Sequence, residues 1–380
     1  MDEVAFLREM LEIYSPSGRE AAIAAHLARR MRQMGFQVWR DKVGNVIGTI
    51  GDGPWELMLL GHMDTVEGVI PVRLEDGRLY GRGAVDAKGP LAAFILAAAR
   101  VGPQPGVRVR VVGAVEEERT SAGARALLHS PAPDAVVIGE PGGWSSITIG
   151  YKGSLSVAYR LRAPRHHSAA GTPTVAEQAV RFWNRLADHA THYNHGDSYR
   201  FHTLDPTLRR IVTHSDGLTE EVTMEVNLRL PPGLDVSDLK ARMREWADGA
   251  EILVEDEVPP YLAEKNTPLA RRFLQAIRAC GGTPSFKVKT GTSDMNIVGP
   301  AWECPIIAYG PGDSALDHTP GEYIDLEEFR QAISVLETVI RGMANHLSAS
   351  VRQPQFAAVR AQEPGHHVPI PRDLPSPVEE

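Results

Sequence analysis

The chain has 380 residues, of which 43% are hydrophobic and 23% are charged. This length favours two or three domains and a large core, which excludes a mini-protein, a collagen and a wholly disordered chain. Only two cysteines occur, Cys280 and Cys304, so neither a disulfide framework nor a thiolate metal site is expected. The 14 histidines and 48 acidic residues instead supply the ligands of a His/carboxylate site.

The formal net charge of -8 argues against a nucleic-acid partner. The N-terminus is acidic and amphipathic, unlike a targeting signal. The longest apolar stretch, near residues 91–101, is too short to cross a membrane. We therefore expect a cytoplasmic protein with no membrane association.

The first part of the chain alternates helix and strand. Residues 4–14 carry apolar side chains at helical spacing, and Ser17-Gly18-Arg19-Glu20 fits a capping box that would begin a second helix. Apolar runs are typical of strands buried on both faces, and they occupy residues 57–60, 107–114 and 135–139, with a helix predicted over 89–101. This alternation predicts an open α/β sheet that helices cover on both sides.

The pattern changes in the middle of the chain. The predicted strands there span residues 154–163, 209–214, 221–230 and 251–258, and the predicted helices span 175–194 and 236–246. Their order, β-α-β-β-α-β, is that of a ferredoxin-like sandwich. Helix and strand then alternate again, with a helix at 269–280, a strand at 304–309 and an amphipathic helix at 326–347.

We therefore predict an α/β fold in which a mixed-sheet domain contains an inserted ferredoxin-like domain. The mixed-sheet domain would be discontinuous and would comprise residues 1–153 and 259–349, with the inserted domain at 154–258. Residues 350–380 are rich in proline and lack apolar periodicity, which predicts a disordered tail.

Several predicted strands are followed by residues that could bind metal. The strand at 57–60 leads into His62-Met63-Asp64, and the next two strands lead into Glu116-Glu117-Glu118 and Glu140. Asp317-His318 follows the last strand. Because ligands bind beyond the carboxyl ends of strands in open α/β sheets, these side chains could together hold two divalent ions.

Each segment alone has an ordinary alternative explanation. His62 and Asp64 could lie in a surface loop, and Glu116-Glu117-Glu118 could be a solvated acidic loop. Asp86 lies just before the helix predicted at residue 89, so it could be a simple N-cap. It is the coincidence of all these segments that favours a metal site with a free glutamate as general base and acid.

Four segments resemble, in the same order, those of the ArgE/DapE-type di-zinc amidohydrolase and aminoacylase family. They are Gly-His-x-Asp at 61–64, Gly-Arg-Gly-x-x-Asp-x-Lys-Gly at 81–89, the pair Glu117-Glu118, and Gly-Glu-Pro at 139–141. The resemblance covers about residues 1–348. It implies that residues 1–153 and 259–349 form a zinc-peptidase-like catalytic domain and that the inserted residues 154–258 form a lid and dimerisation domain. It implies two Zn²⁺ ions per subunit, which Co²⁺ could replace, with the ligands His62, Asp86, Glu118, Glu140 and His318. Asp86 would bridge the two ions.

The resemblance also implies roles in catalysis. Asp64 would orient His62, and Glu117 would be the base, with Glu116 as the alternative because three glutamates occur in succession. His167, which precedes Ser-Ala in the lid, would reach the partner's active site in a homodimer and stabilise the oxyanion; a solvated loop histidine is the alternative. The substrate would contact Lys289, Thr290, Gly291 and Thr292.

The sequence looks closest to the branch that releases lysine or ornithine from the C-terminal Glu of an amino-group carrier protein (LysW-like), in lysine and arginine biosynthesis. Alternatives are an N-acetyl-ornithine or citrulline deacetylase, a succinyl-diaminopimelate desuccinylase, and a dipeptidase or carboxypeptidase. A non-catalytic binding module would require lost ligands, yet every ligand position is present. Because the carrier is acidic, a basic surface is expected near the site. The candidate side chains for this surface are Arg160, Arg162, Arg165, Arg209 and Arg210. The alternative is that these arginines are ordinary solvated surface residues.

Overall fold

A computed structural model describes residues 2–351 of the chain, except for the side chains of Ser168 and of residues 344–351. The predicted tail at 350–380 lies outside this range apart from its first two residues, which end the last helix. None of the helices in the described range is long and apolar enough to cross a lipid bilayer.

Nine α-helices, two single-turn 3-10 helices and sixteen strands make up the described structure. The helices are α1 (Glu3–Leu11), α2 (Ala21–Gln33), α3 (Lys88–Val101), α4 (Ala122–Leu127), α5 (Val175–Tyr193), α6 (Val236–Trp246), α7 (Pro268–Ala279), α8 (Met295–Trp302) and α9 (Leu326–Val351). The strands are β1 (Gln37–Arg40), β2 (Val46–Ile50), β3 (Trp55–His62), β4 (Arg73–Glu75), β5 (Arg78–Tyr80), β6 (Val107–Ala114), β7 (Ala135–Ile138), β8 (Ser146–Tyr151), β9 (Gly153–Pro164), β10 (Asp205–Ser215), β11 (Thr219–Leu230), β12 (Glu251–Val258), β13 (Tyr261–Leu262), β14 (Ser285–Lys289), β15 (Ile306–Ala308) and β16 (Tyr323–Asp325).

The largest sheet is mixed and has nine strands, in the order β1-β2-β6-β3-β7-β15-β8-β13, with β14 paired to β8. Its central strands β6, β3, β7 and β15 are parallel to one another. β7 and β15 are wholly apolar, and β3 is apolar from Leu57 to Gly61, as expected where helices cover both faces of a sheet. α3 is also enclosed on all sides, since its residues from 88 to 98 are all buried. The predicted mixed α/β fold is confirmed.

The parallel alignment of these central strands places their carboxyl ends along one edge of the sheet. β3 ends at His62, and β6 and β7 lead into the segments that contain Glu117 and Glu140. β15 leads, after a glycine-rich turn, to His318. Segments that are far apart in the sequence are therefore neighbours in the fold, as is usual for ligand sites in α/β sheets.

A second sheet has four antiparallel strands in the order β10-β11-β9-β12. Together with α5 and α6 it follows the β-α-β-β-α-β order that the sequence predicts. α6 and β12 have the predicted bounds, and Asp235 caps α6 by accepting a hydrogen bond from the Asp238 N–H. This unit has its own hydrophobic core, separate from that of the large sheet.

The predicted capping box at residues 17–20 is wrong. α2 begins later, at Ala21, and no side chain caps it. The Ser17 hydroxyl instead donates a hydrogen bond to Asp64 Oδ2 at 2.7 Å. A hydrogen bond from the Ser17 hydroxyl to a charged carboxylate is stronger than the hydrogen bond that it would accept from a backbone N–H in a capping box. Ser17 therefore bonds to the distant Asp64 and does not cap α2.

The loop that carries Asp86 is fixed by a buried glutamate from the other end of the chain. Glu322 is fully buried and accepts hydrogen bonds from the Val85 N–H at 2.9 Å and the Asp86 N–H at 3.1 Å. Its other oxygen pairs with Arg82 Nη1 at 2.9 Å. Burial raises the pKa of Glu322, an effect that these donors oppose. The position of Asp86 therefore depends on the Arg82–Glu322 pair.

We predict that Glu322→Gln lowers the free energy of unfolding by about 3–5 kcal/mol, because it leaves the largely buried guanidinium of Arg82 without its counter-charge. Glu75→Gln is the matched control, since the Arg73–Glu75 pair is exposed and is worth less than about 1 kcal/mol. Urea unfolding followed by circular dichroism measures both values. Equal losses in the two variants would contradict the structural role of Glu322.

Candidate metal centre

Asp86 lies between two imidazoles. Its Oδ1 is 3.1 Å from His62 Nε2, and its Oδ2 is 3.0 Å from His318 Nε2. The carboxylate thus presents one oxygen to each histidine, as a ligand shared by two cations would. The alternative explanation of Asp86 as a helix N-cap is wrong, because Ala87 occupies that position and no side chain caps α3.

The glutamates complete the two halves of the cluster. Glu140 Oε1 lies 3.9 Å from His62 Nε2, and Glu117 Oε2 lies 4.0 Å from the same atom. Glu118 Oε1 lies 3.0 Å from His318 Nε2. All five predicted metal ligands are therefore brought together with Glu117.

The three successive glutamates have different surroundings. Glu117 and Glu118 turn toward the histidines, whereas Glu116 is in the left-handed region with φ of 55°. The Glu116 carboxylate accepts a hydrogen bond from the Thr120 hydroxyl at 2.7 Å. The structure therefore brings Glu117, and not the alternative Glu116, to the cluster.

Asp64 is fully buried behind the cluster and contacts several of the segments that form it. It accepts hydrogen bonds from the N–H groups of Glu117 and Glu118, each at 3.1 Å, and from the Ser17 hydroxyl. His62 Nδ1 lies 3.4 Å from Asp64 Oδ1 and 3.0 Å from its backbone carbonyl oxygen. Asp64 therefore contacts both the imidazole, through its carbonyl oxygen and carboxylate, and the backbone of the glutamate pair. Such carboxylate–histidine contacts commonly support metal ligands.

The electrostatics of the cluster favour cations. Burial, followed by the proximity of Glu140, raises the pKa of Glu117 well above its ordinary value, although His62 opposes this effect. Burial raises the pKa of Glu140 in the same way, with Asp86 adding to it. Hydrogen bonds to Asp86 and Glu118 raise the pKa of His318 to about 10. Carboxylates so close together require protons or cations to offset their repulsion.

The residues present fit divalent metal ions. Two groups of donor atoms each lie within 4.8 Å of one another, one on His62, Glu117 and Glu140 and the other on His62, Asp86 and Glu118. The donors are imidazole nitrogens and carboxylate oxygens, a set that zinc and similar first-row ions accept. The chemistry of this donor set and its burial therefore support the predicted metal site.

A cavity of about 770 Å³ opens onto the cluster. The predicted substrate contacts Lys289, Thr290, Gly291 and Thr292 all line it. Further basic side chains line it as well: Arg119, Arg125, Arg209 and Arg229. Arg229 reaches from β11 toward the Thr292 hydroxyl at 3.4 Å, so the second sheet borders the same cavity.

Two groups of predicted residues lie away from the cluster. His167 is exposed and lines a separate cavity of about 360 Å³ together with Arg181 and Glu220. Of the predicted basic surface, only Arg209 lines the main cavity. Three of the other arginines form ion pairs with acidic neighbours: Arg162 with Asp216, Arg165 with Glu220, and Arg210 with Glu225. Arg160 lies exposed on the surface.

Sequence reasoning missed several residues that support or line the site. Ser17 and Glu322 act through contacts with residues far along the chain, so local spacing carries no signal of them. Tyr151 lines the cavity from the end of β8, and burial together with Glu140 raises its pKa well above its ordinary value. The sequence pattern that could have drawn attention to Tyr151 is its position at the end of an apolar run, directly before a lysine and a glycine.

Comparison with known proteins supports the resemblance seen in the sequence. The chain is 41% identical over 343 residues to the LysW-lysine hydrolase of Deinococcus radiodurans, covering 88% of this chain and 95% of that one. It is 40% identical over 346 residues to a putative LysW-lysine/LysW-ornithine hydrolase of Pyrococcus furiosus, covering 91% and 98%.

Solved structures show the same fold. An M20 family metallo-carboxypeptidase from Sulfolobus solfataricus superposes with a TM-score of 0.74 at 18% identity, over 91% of this chain and 100% of that one. The family model for peptidase family M20/M25/M40 matches residues 58–342, a range that contains all the predicted ligands. The prediction of a hydrolase that acts on amide C–N bonds is thus confirmed, and the chain belongs to peptidase family M20/M25/M40.

Proposed function

We propose that this protein is a metal-dependent amide hydrolase that releases lysine or ornithine from the C-terminal Glu of an amino-group carrier protein of the LysW type. The observation that carries the chemistry is the largely buried Glu117 carboxylate, 4.0 Å from the His62 imidazole, in a cluster where Asp86 lies between His62 and His318. The names of relatives at about 40% identity over most of both chains support the substrate.

His62 and Glu140 would hold one metal ion, Glu118 and His318 the other, and Asp86 would bridge them. We propose zinc for both ions, with cobalt as a substitute. When bound, such ions polarise a carbonyl group and lower the pKa of water. Asp64 would keep the His62 imidazole in the tautomer and orientation that leave Nε2 free for a ligand bond.

Glu117 would be the general base and then the general acid. Its carboxylate would take a proton from the attacking water and deliver that proton to the leaving amine as the C–N bond breaks. A raised carboxyl pKa suits both steps, because the group must bind a proton and then release it. The hydrogen bond from its N–H to Asp64 would keep the side chain on the cluster side.

The cavity suits a substrate that is rich in carboxylates. A γ-glutamyl bond to lysine leaves the α-carboxylates of both the glutamate and the lysine close to the scissile amide. Lys289, Arg209 and Arg229 line the cavity beyond the metal ligands and could pair with these groups. We assign Lys289, Thr290, Gly291 and Thr292 as substrate contacts.

We also propose that the active unit is a homodimer in which residues 154–258 form the lid and residues 1–153 with 259–349 form the catalytic domain. β10 pairs only with β11 among the described strands, and its residues from 207 to 215 are exposed. Such a long free edge, which includes Ile211 and Val212, can pair with a second copy. His167, remote from its own cluster, would stabilise the oxyanion in the partner's site.

We expect Glu117→Ala to abolish turnover while the protein still binds about two metal ions per chain, because the base is lost but the five ligands remain. Glu116→Ala is the matched control and should keep wild-type activity, since its carboxylate bonds to Thr120. Steady-state kinetics and elemental analysis measure both. Near-wild-type activity of the Glu117 variant would show that the base is assigned wrongly.

The substrate is tested by direct comparison of amides. The proposal predicts that kcat/KM for carrier-linked lysine or ornithine exceeds that for N-acetyl-ornithine and succinyl-diaminopimelate by at least about 100-fold, because the small substrates offer fewer groups to the basic cavity wall. Release of amino acid is measured by mass spectrometry. Preference for either small substrate by orders of magnitude would overturn the assignment.

Sharing of the site across a dimer is tested by mixing inactive variants. Glu117→Ala and His167→Ala should each be inactive alone, and chain exchange between them should restore about one quarter of wild-type activity, since half of the dimers then contain one complete site. Mixing two preparations of the same variant is the control. No recovery, with exchange verified by native mass spectrometry, would place His167 outside the partner's site.

A further inference from the structure

A tyrosine that no proposed step uses lies in the wall of the catalytic cavity. Tyr151 ends β8 and lines this cavity together with Asp86, Glu117 and Glu140. Only 1% of the residue is exposed, and its hydroxyl has no hydrogen-bond partner among the described residues. The Ser293 hydroxyl lies near the Tyr151 hydroxyl and opposes the rise in its pKa, and it accepts a hydrogen bond from the Met295 N–H.

The ring of Tyr151 is firmly placed. Its backbone pairs with Tyr261 of β13 on one side and with Lys289 of β14 on the other. The Lys289 ammonium lies 6.0 Å from the ring centroid, so the substrate-contacting segment packs against the ring. A hydroxyl on such a fixed ring is pre-oriented, which is the condition for stabilising charge at low cost during a reaction.

An unpartnered buried hydroxyl reduces the stability of the folded state. Tyr309 shows the usual solution, because its hydroxyl donates to the Trp144 carbonyl oxygen at 2.7 Å. Tyr159 also lacks a partner, but it packs in the core of the second sheet, with its ring centroid 5.0 Å from that of Phe182. Tyr151, by contrast, lines the same cavity as Glu117, in which the scissile amide would bind.

We propose that Tyr151 is a further catalytic residue, whose hydroxyl donates a hydrogen bond to the scissile carbonyl oxygen as that oxygen becomes an oxyanion. As the water oxygen bonds to carbon, the C=O electron pair moves to oxygen, and Glu117 holds the proton that later goes to the amine. Tyr151 keeps its own proton throughout. This role rests on the amide hydrolysis proposed above.

The test compares Tyr151→Phe with Tyr159→Phe, each of which removes one unpartnered buried hydroxyl. We expect Tyr151→Phe to lower kcat about 100-fold with KM changed less than about threefold, because the lost contact forms only as charge develops. Tyr159→Phe should leave both constants unchanged. Neither variant should lower the melting temperature or the metal content, since no native hydrogen bond is lost.

Binding gives a second readout. A phosphinic analogue, in which a tetrahedral phosphorus replaces the carbonyl carbon, should bind Tyr151→Phe at least about tenfold more weakly than wild type by calorimetry. Unchanged kcat and unchanged analogue affinity would overturn the proposal. Loss of metal from Tyr151→Phe would also overturn it, because the tyrosine would then be positioning Glu140.

The two proposals fail in distinguishable ways. If the wild type prefers a small amide, the carrier substrate is wrong, and the same comparison of variants is made on that amide. If the wild type hydrolyses the carrier-linked substrate but Tyr151→Phe matches it, only the role of Tyr151 is wrong. The analogue affinity decides the role of Tyr151 independently of turnover.

Discussion

The site depends on the cost of holding several largely buried carboxylates together at the base of a cavity. Asp86, Glu117, Glu118 and Glu140 surround the imidazole of His62, and burial raises the pKa of the three glutamates. Repulsion between like charges would force these groups apart or protonate them unless positive charge lay between them. Two divalent ions would supply that charge and would also activate water, so the feature that costs stability is the one that enables catalysis.

The cluster can be assembled because a few buried contacts join segments that are distant in the sequence. Asp64 binds the backbone of the Glu117–Glu118 turn and the Ser17 hydroxyl, and it lies against His62. Glu322 holds the Asp86 loop. Each of these acceptors receives at least two N–H or O–H donors, which offsets the cost of burying its charge. The parallel central strands provide the common edge at which these segments meet.

The parts of the fold and site that could be predicted from the sequence are those marked by a regular apolar pattern or by the end of such a pattern. Continuous apolar runs marked the central strands, and their carboxyl ends located His62, the Glu117–Glu118 pair and Glu140. Long-range contacts were not predictable. The Ser17 motif has the spacing of a capping box, yet its hydroxyl bonds to Asp64, 47 residues along the chain. Glu322 and Tyr151 gave no periodic signal, because their importance lies in what surrounds them in three dimensions.

The central claim is that this cluster binds two metal ions that share Asp86. The most direct measurement is anomalous diffraction at the zinc absorption edge, from crystals of the protein loaded with zinc. The account predicts two peaks, one in contact with His62 and Glu140 and the other with His318 and Glu118, both touching the Asp86 carboxylate. A single peak, or two peaks of which one does not contact Asp86, would contradict it.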